Sequence, residues 1–189
     1  KDSKLASVGP LLITHWGMSG PAILKLSAWG ARELFDKKYQ FAIGINWLKD
    51  WNAAETEEHL RELKIEHAKK IVSKKSPFAI VNRLWESIVL ASGIGIETKW
   101  ADLSKIQLQQ LSLELTQATF QVNGKSTFKE EFVTAGGIDL KEINFKTMQS
   151  KLHDNLYFAG EIVNIDAITG GFNFQNAWTS GFILSQNLN

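Results

Sequence analysis

The chain has 189 residues, no cysteine, and 21 Lys and Arg against 20 Asp and Glu, for a formal net charge of +1. Without cysteine there is no disulfide framework, thiolate metal site or redox-active dithiol, so an oxidoreductase built on this chain must borrow a cofactor. The balanced charge gives no field that would draw nucleic acid by itself, no apolar run is long enough to span a bilayer, and 44% apolar residues suffice for one sizeable core or two small ones.

In chain order, Val8 to Thr14 reads as a strand, Ser19 to Phe35 as a helix with Pro21 tolerated in its first turn, and Tyr39 to Trp47 as a second strand. This pattern suits part of an α+β or barrel-like domain. Gly17-Met18-Ser19-Gly20 misses the G-x-S-x-G spacing of a nucleophile elbow, and Ser19 is better placed as the N-cap of the first helix. His15, in the loop before it, is open to a role near a substrate cavity or to a structural hydrogen bond.

Asn52 with Glu55 three residues on predicts a capped helix to about Val72, with Leu60, Leu63, His67 and Ile71 on one face. Ser76-Pro77 is expected to start the next helix, striped by Ile80, Val81, Leu84, Trp85 and Ile88, and Asp102 to cap a third carrying Leu108, Leu111 and Leu115. Residues 51–116 thus read as a small helical module. On the first of these helices His59 and His67 are separated by roughly 12 Å along the axis, too far to share a metal ion. The seven tryptophans are scattered, as core or interface residues would be. Gly93-Ile94-Gly95 follows a helical pattern and lacks the third glycine of a dinucleotide fingerprint.

Thr116 to Val122 and Lys129 to Thr134 read as strands joined around the turn dipeptide Asn123-Gly124. Gly136-Gly137-Ile138, followed by Glu142, reads as a turn between strands, and His153-Asp154 as a solvated turn. The last stretch is the most telling. Leu156 to Ala159 is short and continuously apolar, which predicts a strand buried on both faces of a largely parallel sheet. Gly160 then permits close backbone approach, and Glu161 would stand at the strand's carboxyl end, where open α/β sheets bind ligands.

Thr169, Gly170 and Gly171 precede a helix with Phe174, Ala177, Gly181, Leu184 and Leu188 along one face. Its first N–H groups could stabilise negative charge on a phosphate or a reduced flavin. Asp166 reads equally as a solvated turn residue. A tight turn and a well-packed terminal helix are the alternative for the whole segment.

Three stretches carry a resemblance. Asn155 to Trp178, NLYFAGEIVNIDAITGGFNFQNAW, resembles the C-terminal flavin-contacting region of the BaiN-like bacterial flavoproteins, which include aminoacetone oxidase and NAD(P)/FAD-dependent oxidoreductases. Leu12 to Ser27, LITHWGMSGPAILKLS, resembles the TH-G-SGPAIL-S signature of that family, and Val133 to Lys151, VTAGGIDLKEINFKTMQSK, its T-GGV-EI-TM-SK segment. The three occur in the family's order and together cover about a third of the chain.

The resemblance implies a mixed α+β protein: residues 1–50 and the strands of 117–134 in a barrel-like substrate domain, 51–116 inserted as a helical module, and 135–189 as the C-terminal strand, loop and helix of a Rossmann-like FAD-binding domain. It also implies a bacterial, cytoplasmic FAD-dependent oxidoreductase, with NAD(P)H as a candidate electron donor and a small-molecule substrate, without a nucleic-acid or membrane partner. Members of the family are about twice this length and open on a Gly-rich fingerprint that is absent here. The chain is therefore expected to be the C-terminal part, to need an N-terminal FAD-binding half as partner, and to be inactive alone.

Carried over by resemblance, Gly136 and Gly137 line the flavin ring, Glu161 contacts a ribityl hydroxyl beside Gly160, and Gly170, Gly171 and Phe172 give backbone contacts at the helix start. Asn173 and Gln175 either meet polar edges of the flavin or orient the loop, and Glu142 is carried over weakly. No side chain is assigned as catalytic acid or base, and no metal ligand is expected. The alternative is a noncatalytic binding or assembly module that does not bind FAD on its own.

Overall fold

The computed structural model describes residues 3–126, 133–168 and 170–188. Among these, six α-helices alternate with three two-stranded antiparallel sheets. The chain divides into two compact units, one formed by Gln40–Asn123 and the other by the segments on either side of it.

The unit Gln40–Asn123 opens and closes on one sheet. β3 (Gln40–Ile45) pairs antiparallel with β4 (Ala118–Asn123), from Gln40 opposite Asn123 to Ile45 opposite Ala118. The sequence predicts a different partner for β4, the segment Lys129–Thr134, most of which lies outside the described residues. Pairing with β3 brings the two ends of the intervening helical segment together.

That segment holds α3 (Ala53–Glu66), α4 (Asn82–Ala91) and α5 (Lys105–Thr116). Asn52 and Glu55 form the expected capping box, each side chain accepting the other's backbone N–H at 3.0 Å. α3 ends at Glu66, well before Val72. His67 caps it, and Ile71 and Val72 turn extended: Ile71 bridges Lys99, and the Val72 N–H donates to the Thr98 carbonyl. Two consecutive β-branched residues favour that extended state.

α4 starts at Asn82 instead of Ser76, because the Ser76 hydroxyl donates to the Phe78 carbonyl and accepts its N–H, a local turn that competes with helix. The cap of α5 is Ser104 with Gln107, not Asp102, which ends a short 3-10 turn at Trp100–Asp102. The core joins Leu60, Leu63, Trp85, Ile88, Trp100, Leu108, Leu111 and Leu115. Trp85 is fully buried, stacks on Trp100 at 6.4 Å, and donates its indole N–H to the Val72 carbonyl at 2.7 Å.

In the other unit, β1 (Leu12–Ile13) pairs with β2 (Met18–Ser19) around a turn in which the Thr14 hydroxyl donates to the Gly17 carbonyl. Ser19 pairs with Leu12 within the sheet, so the N-cap of α1 (Pro21–Trp29) is Gly20, which makes no side-chain cap. The single predicted helix to Phe35 is split at Gly30 into α1 and α2 (Ala31–Asp36). A Cβ at Gly30 would come 2.7 Å from Leu5 and 3.2 Å from Leu34, so the break lets other side chains fill the site.

β5 (Ile143–Asn144) and β6 (Gln149–Ser150) form a small hairpin, and α6 (Gly171–Ser185) packs Ile183 and Leu184 against buried Ile143, Met148 and Val163. Among the described residues no helix is long and apolar enough to cross a membrane.

Candidate functional site

The Gly136-Gly137 segment and the acidic loop run side by side within the second unit. The Ile138 N–H donates to the Ile162 carbonyl at 2.8 Å, and the Asn164 N–H to the Ile138 carbonyl at 3.1 Å, so the Gly136-Gly137 segment runs alongside Ile162–Asn164. Gly137 is required there: its φ is +130°, and a Cβ would collide with the Ile162 carbonyl. Gly136, Gly160 and Gly171 face the opposite situation, with nothing within 4 Å of where a Cβ would lie. Open space thus borders the backbone of all three segments.

Two polar residues fasten the loops to α6. The buried Ser180 hydroxyl accepts the Gly160 N–H at 2.9 Å while donating to helix carbonyls behind it. Asn173 clasps Ala167 from both sides: its Oδ1 accepts the Ala167 N–H at 2.9 Å and its Nδ2 donates to the Ala167 carbonyl at 3.1 Å. These two bonds tie the loop to the first turn of α6. Arg32 on α2 adds a third tie, donating to Asn164 Oδ1 at 2.6 Å and standing 3.8 Å from Asp166. Asp166 is therefore neither free nor a simple solvated turn residue.

Leu156–Ala159 departs from its prediction. It is not a doubly buried strand. Tyr157 makes one antiparallel bridge to Gln149, Leu156 is exposed, and Gly160–Ile162 forms a 3-10 turn. Phe158 packs against the cluster of Ile143, Met148 and Val163, so only one face of the segment is covered. Glu161 consequently lies in the turn instead of ending a strand, with its side chain exposed.

Gly170 and Gly171 do open α6, and among the described residues no side chain caps the helix start; Thr169 lies outside them. The packed face is shifted from the predicted one. Ser180, Ile183 and Leu184 turn inward, whereas Phe174, Trp178 and Phe182 are 66%, 72% and 66% exposed. Phe172, Gln175 and Glu142 are also exposed.

The histidines do not converge. His15 and His153 are exposed, His59 contacts Glu62 at 3.2 Å, and His67 meets Trp100 edge-on. Among the described residues, no group of three or more His, Cys, Asp or Glu could hold a metal ion. Sequence reasoning missed Ser180 and Arg32. A small polar residue between Ala177 and Gly181 was the available signal for the first; nothing local marked Arg32, whose partner Asn164 lies 132 residues away.

A family profile described as "HI0933-like protein barrel and H2TH domain" matches residues 1–133. The chain belongs to the HI0933-like family. The mixed α/β architecture, with its small sheets and a helical segment between β3 and β4, is consistent with a barrel and H2TH description of that family.

This HI0933-like chain is 31% identical over 94% of its length to "Ribosomal RNA dihydrouridine synthase" of Escherichia coli (strain K12), of which it covers 42%. It is 32% identical over 91% of its length to the protein of the same name in Haemophilus influenzae, covering 40%. It is 25% identical over 93% of its length to "3-dehydro-bile acid delta(4,6)-reductase" of Clostridium scindens, covering 42%. The chain spans about two fifths of the length of these relatives.

Proposed function

We propose that this chain is the C-terminal part of an FAD-dependent oxidoreductase related to the BaiN-like flavoproteins, and that the whole protein reduces a carbon–carbon double bond conjugated to a carbonyl. The observation that carries the reading is the start of α6, opened by Gly170 and Gly171, where the described residues give no side-chain cap and nothing lies within 4 Å of where a Cβ on Gly171 would stand. A planar ring lying against main chain fits such a surface, and uncapped N–H groups at the helix start suit the negative charge of a reduced flavin. FAD, when bound, would supply the hydride chemistry at N5, with a nicotinamide as electron donor.

The residues of this chain would hold and orient. Gly136 and Gly137 would line the ring, the exposed carboxylate of Glu161 would accept from a ribityl hydroxyl, and Gly170, Gly171 and Phe172 would offer backbone contacts. Asn173, Ser180 and Arg32 would keep the loops in place. The names of the relatives support the reaction class. Dihydrouridine differs from uridine by two hydrogens across a ring double bond next to a carbonyl, and a delta(4,6)-reductase acting on a 3-dehydro compound saturates bonds conjugated to a ketone.

The rest of the site, and the FAD-binding half, would lie in the longer polypeptide that the relatives' lengths suggest. The aromatic stripe of Phe174, Trp178 and Phe182 supports this, because so much exposed aromatic surface on one helix marks a face that something covers. It equally supports the second reading, in which the isolated chain is a noncatalytic assembly module.

The test is anaerobic incubation of the full-length protein with FAD, NADPH and either a uridine-containing oligoribonucleotide or a 3-keto steroid with conjugated double bonds. A two-hydrogen mass gain in one substrate, abolished by Gly171→Trp, is the expected result. In a parallel aerobic incubation with a primary amine and no NADPH, turnover of the amine, with neither unsaturated substrate reduced, would replace the proposed reaction with amine oxidation. No turnover of any kind by flavin-loaded protein would refute the enzyme reading.

A further inference from the structure

We propose that Asn123-Gly124 is a site of spontaneous covalent modification, where the Asn123 side-chain amide is lost through a cyclic imide and replaced by a carboxylate. The dipeptide reads in the sequence as a hairpin turn, but the structure does not use it as one. β4 ends at Asn123, which stands opposite Gln40 on the last rung of the sheet with β3. A type I′ turn needs positive φ at both central residues. Only Gly124 has it, at +154°, far from the roughly +57° of a left-handed residue.

Both residues are free to react. Each is exposed, and nothing lies within 4 Å of where a Cβ on Gly124 would stand. Among the described residues the Asn123 side-chain amide makes no hydrogen bond, and beyond the strand the Gly124 N–H donates to no group. The chemistry needs only these two residues and water. Loss of the Gly124 amide proton to hydroxide leaves a nitrogen that attacks Cγ of Asn123, closing a succinimide ring as the bond from Cγ to Nδ2 breaks and ammonia leaves. Water then opens the ring at either carbonyl, giving aspartate or an isoaspartyl linkage that runs through the side chain. The sum is amide plus water to carboxylate plus ammonium, with no change of oxidation state. Glycine makes the step accessible, because without a Cβ its nitrogen is uncrowded and its backbone rotates freely. Asn123 must leave its extended state to react, and the last rung of a sheet opens at little cost.

Other asparagines set the contrast. Asn46, Asn164, Asn173 and Asn187 have side chains held in hydrogen bonds. Asn155 is exposed and, among the described residues, unbonded through its side chain, but Leu156 follows it and a branched side chain crowds the attacking nitrogen. Asn176 lies inside α6, where helix bonding occupies the next N–H. The consequence falls at a structural boundary. Asn123 is the last residue of the helical unit and Gly124 the first after it. The product adds a negative charge to a chain of formal net charge +1, and isoaspartate also lengthens the backbone at the rung shared with Gln40.

The reaction needs neither flavin nor substrate and is tested without them. The experiment stores the full-length protein for weeks at neutral and mildly alkaline pH, folded and in urea, with circular dichroism to confirm the folded state. Tryptic digestion then releases residues 106–125, in which Asn123 is the only asparagine, for chromatography and mass spectrometry. Folded protein should exchange the Asn123 amide for an acid, faster at the higher pH, and yield both aspartyl and isoaspartyl peptides. Conversion at Asn123 should outpace that at Asn155 by roughly tenfold or more, and Gly124→Ala should slow it by a similar factor. Asn123→Gln should abolish it.

The proposal is overturned if Asn123 keeps its amide in the folded protein while losing it in urea, if Asn155 converts as fast, or if folded Gly124→Ala reacts at the native rate. Aspartate formed without isoaspartate would also overturn it, since direct hydrolysis passes through no imide.

Discussion

Gly137 is the residue on which the loop geometry depends most directly. Its positive φ and the collision awaiting a Cβ make Gly137→Ala costly twice over, by about 2 kcal/mol or more, read as a lower denaturation midpoint. Ser180→Ala should cost about 1–3 kcal/mol, because it leaves the Gly160 N–H without its acceptor beneath the loop. The two substitutions differ in legibility. The Gly-Gly pair stands out in the sequence, whereas Ser180 shows its role only once Gly160 is folded above it. Glu33 provides a pH signature. Its carboxyl is held below the usual range, first by the hydrogen bond from Lys37 and then by that from Ser3. A lowered folded-state pKa means that the stabilisation is present above the ordinary carboxylate pKa and is lost as the pH falls through the lowered value. An NMR titration should place the Glu33 midpoint low and return it upward in Lys37→Ala.

Among the elements, local chemistry was legible where a few adjacent residues decide the outcome. The Asn52–Glu55 capping box is one such case: both reciprocal hydrogen bonds are present. Asn52→Ala should therefore destabilise the helical unit by about 1 kcal/mol, while Asp102→Ala, ahead of the true cap of α5, should change stability by less than about half that. A chemical denaturation series separates the two. The stripe Leu108, Leu111 and Leu115 was also readable, and all three are buried.

Pairing between distant segments was not legible. β4 could be recognised as a strand, but its partner is β3, whose register no turn dipeptide encodes. The face of α6 was legible in part: Ala177, Gly181 and Leu184 are partly buried as read, while Phe174 and Leu188 are exposed. Spacing of three and four fits the exposed Phe174 as well as the inward Leu184, and only the positions of Ile143, Met148 and Val163 choose between them.

At the scale of the molecule, β3 and β4 close the unit Gln40–Asn123 around a core of its own, with Trp85 and Trp100 at its centre. A polypeptide of residues 40–123 should fold alone with a cooperative thermal transition, and Trp85→Ala should remove about 3–5 kcal/mol of its stability. The flavin reading concerns the other unit, where glycine-bordered loops converge on α6 and an aromatic face stands exposed.

The measurement that tests the central claim most directly is FAD titration by flavin fluorescence, on the 189-residue chain and on the protein extended to the length of its relatives. Saturable binding by the extended protein only, lost in Gly171→Trp and weakened in Glu161→Ala, is the predicted result. Failure of the extended protein to bind FAD, or binding indifferent to both substitutions, would contradict it.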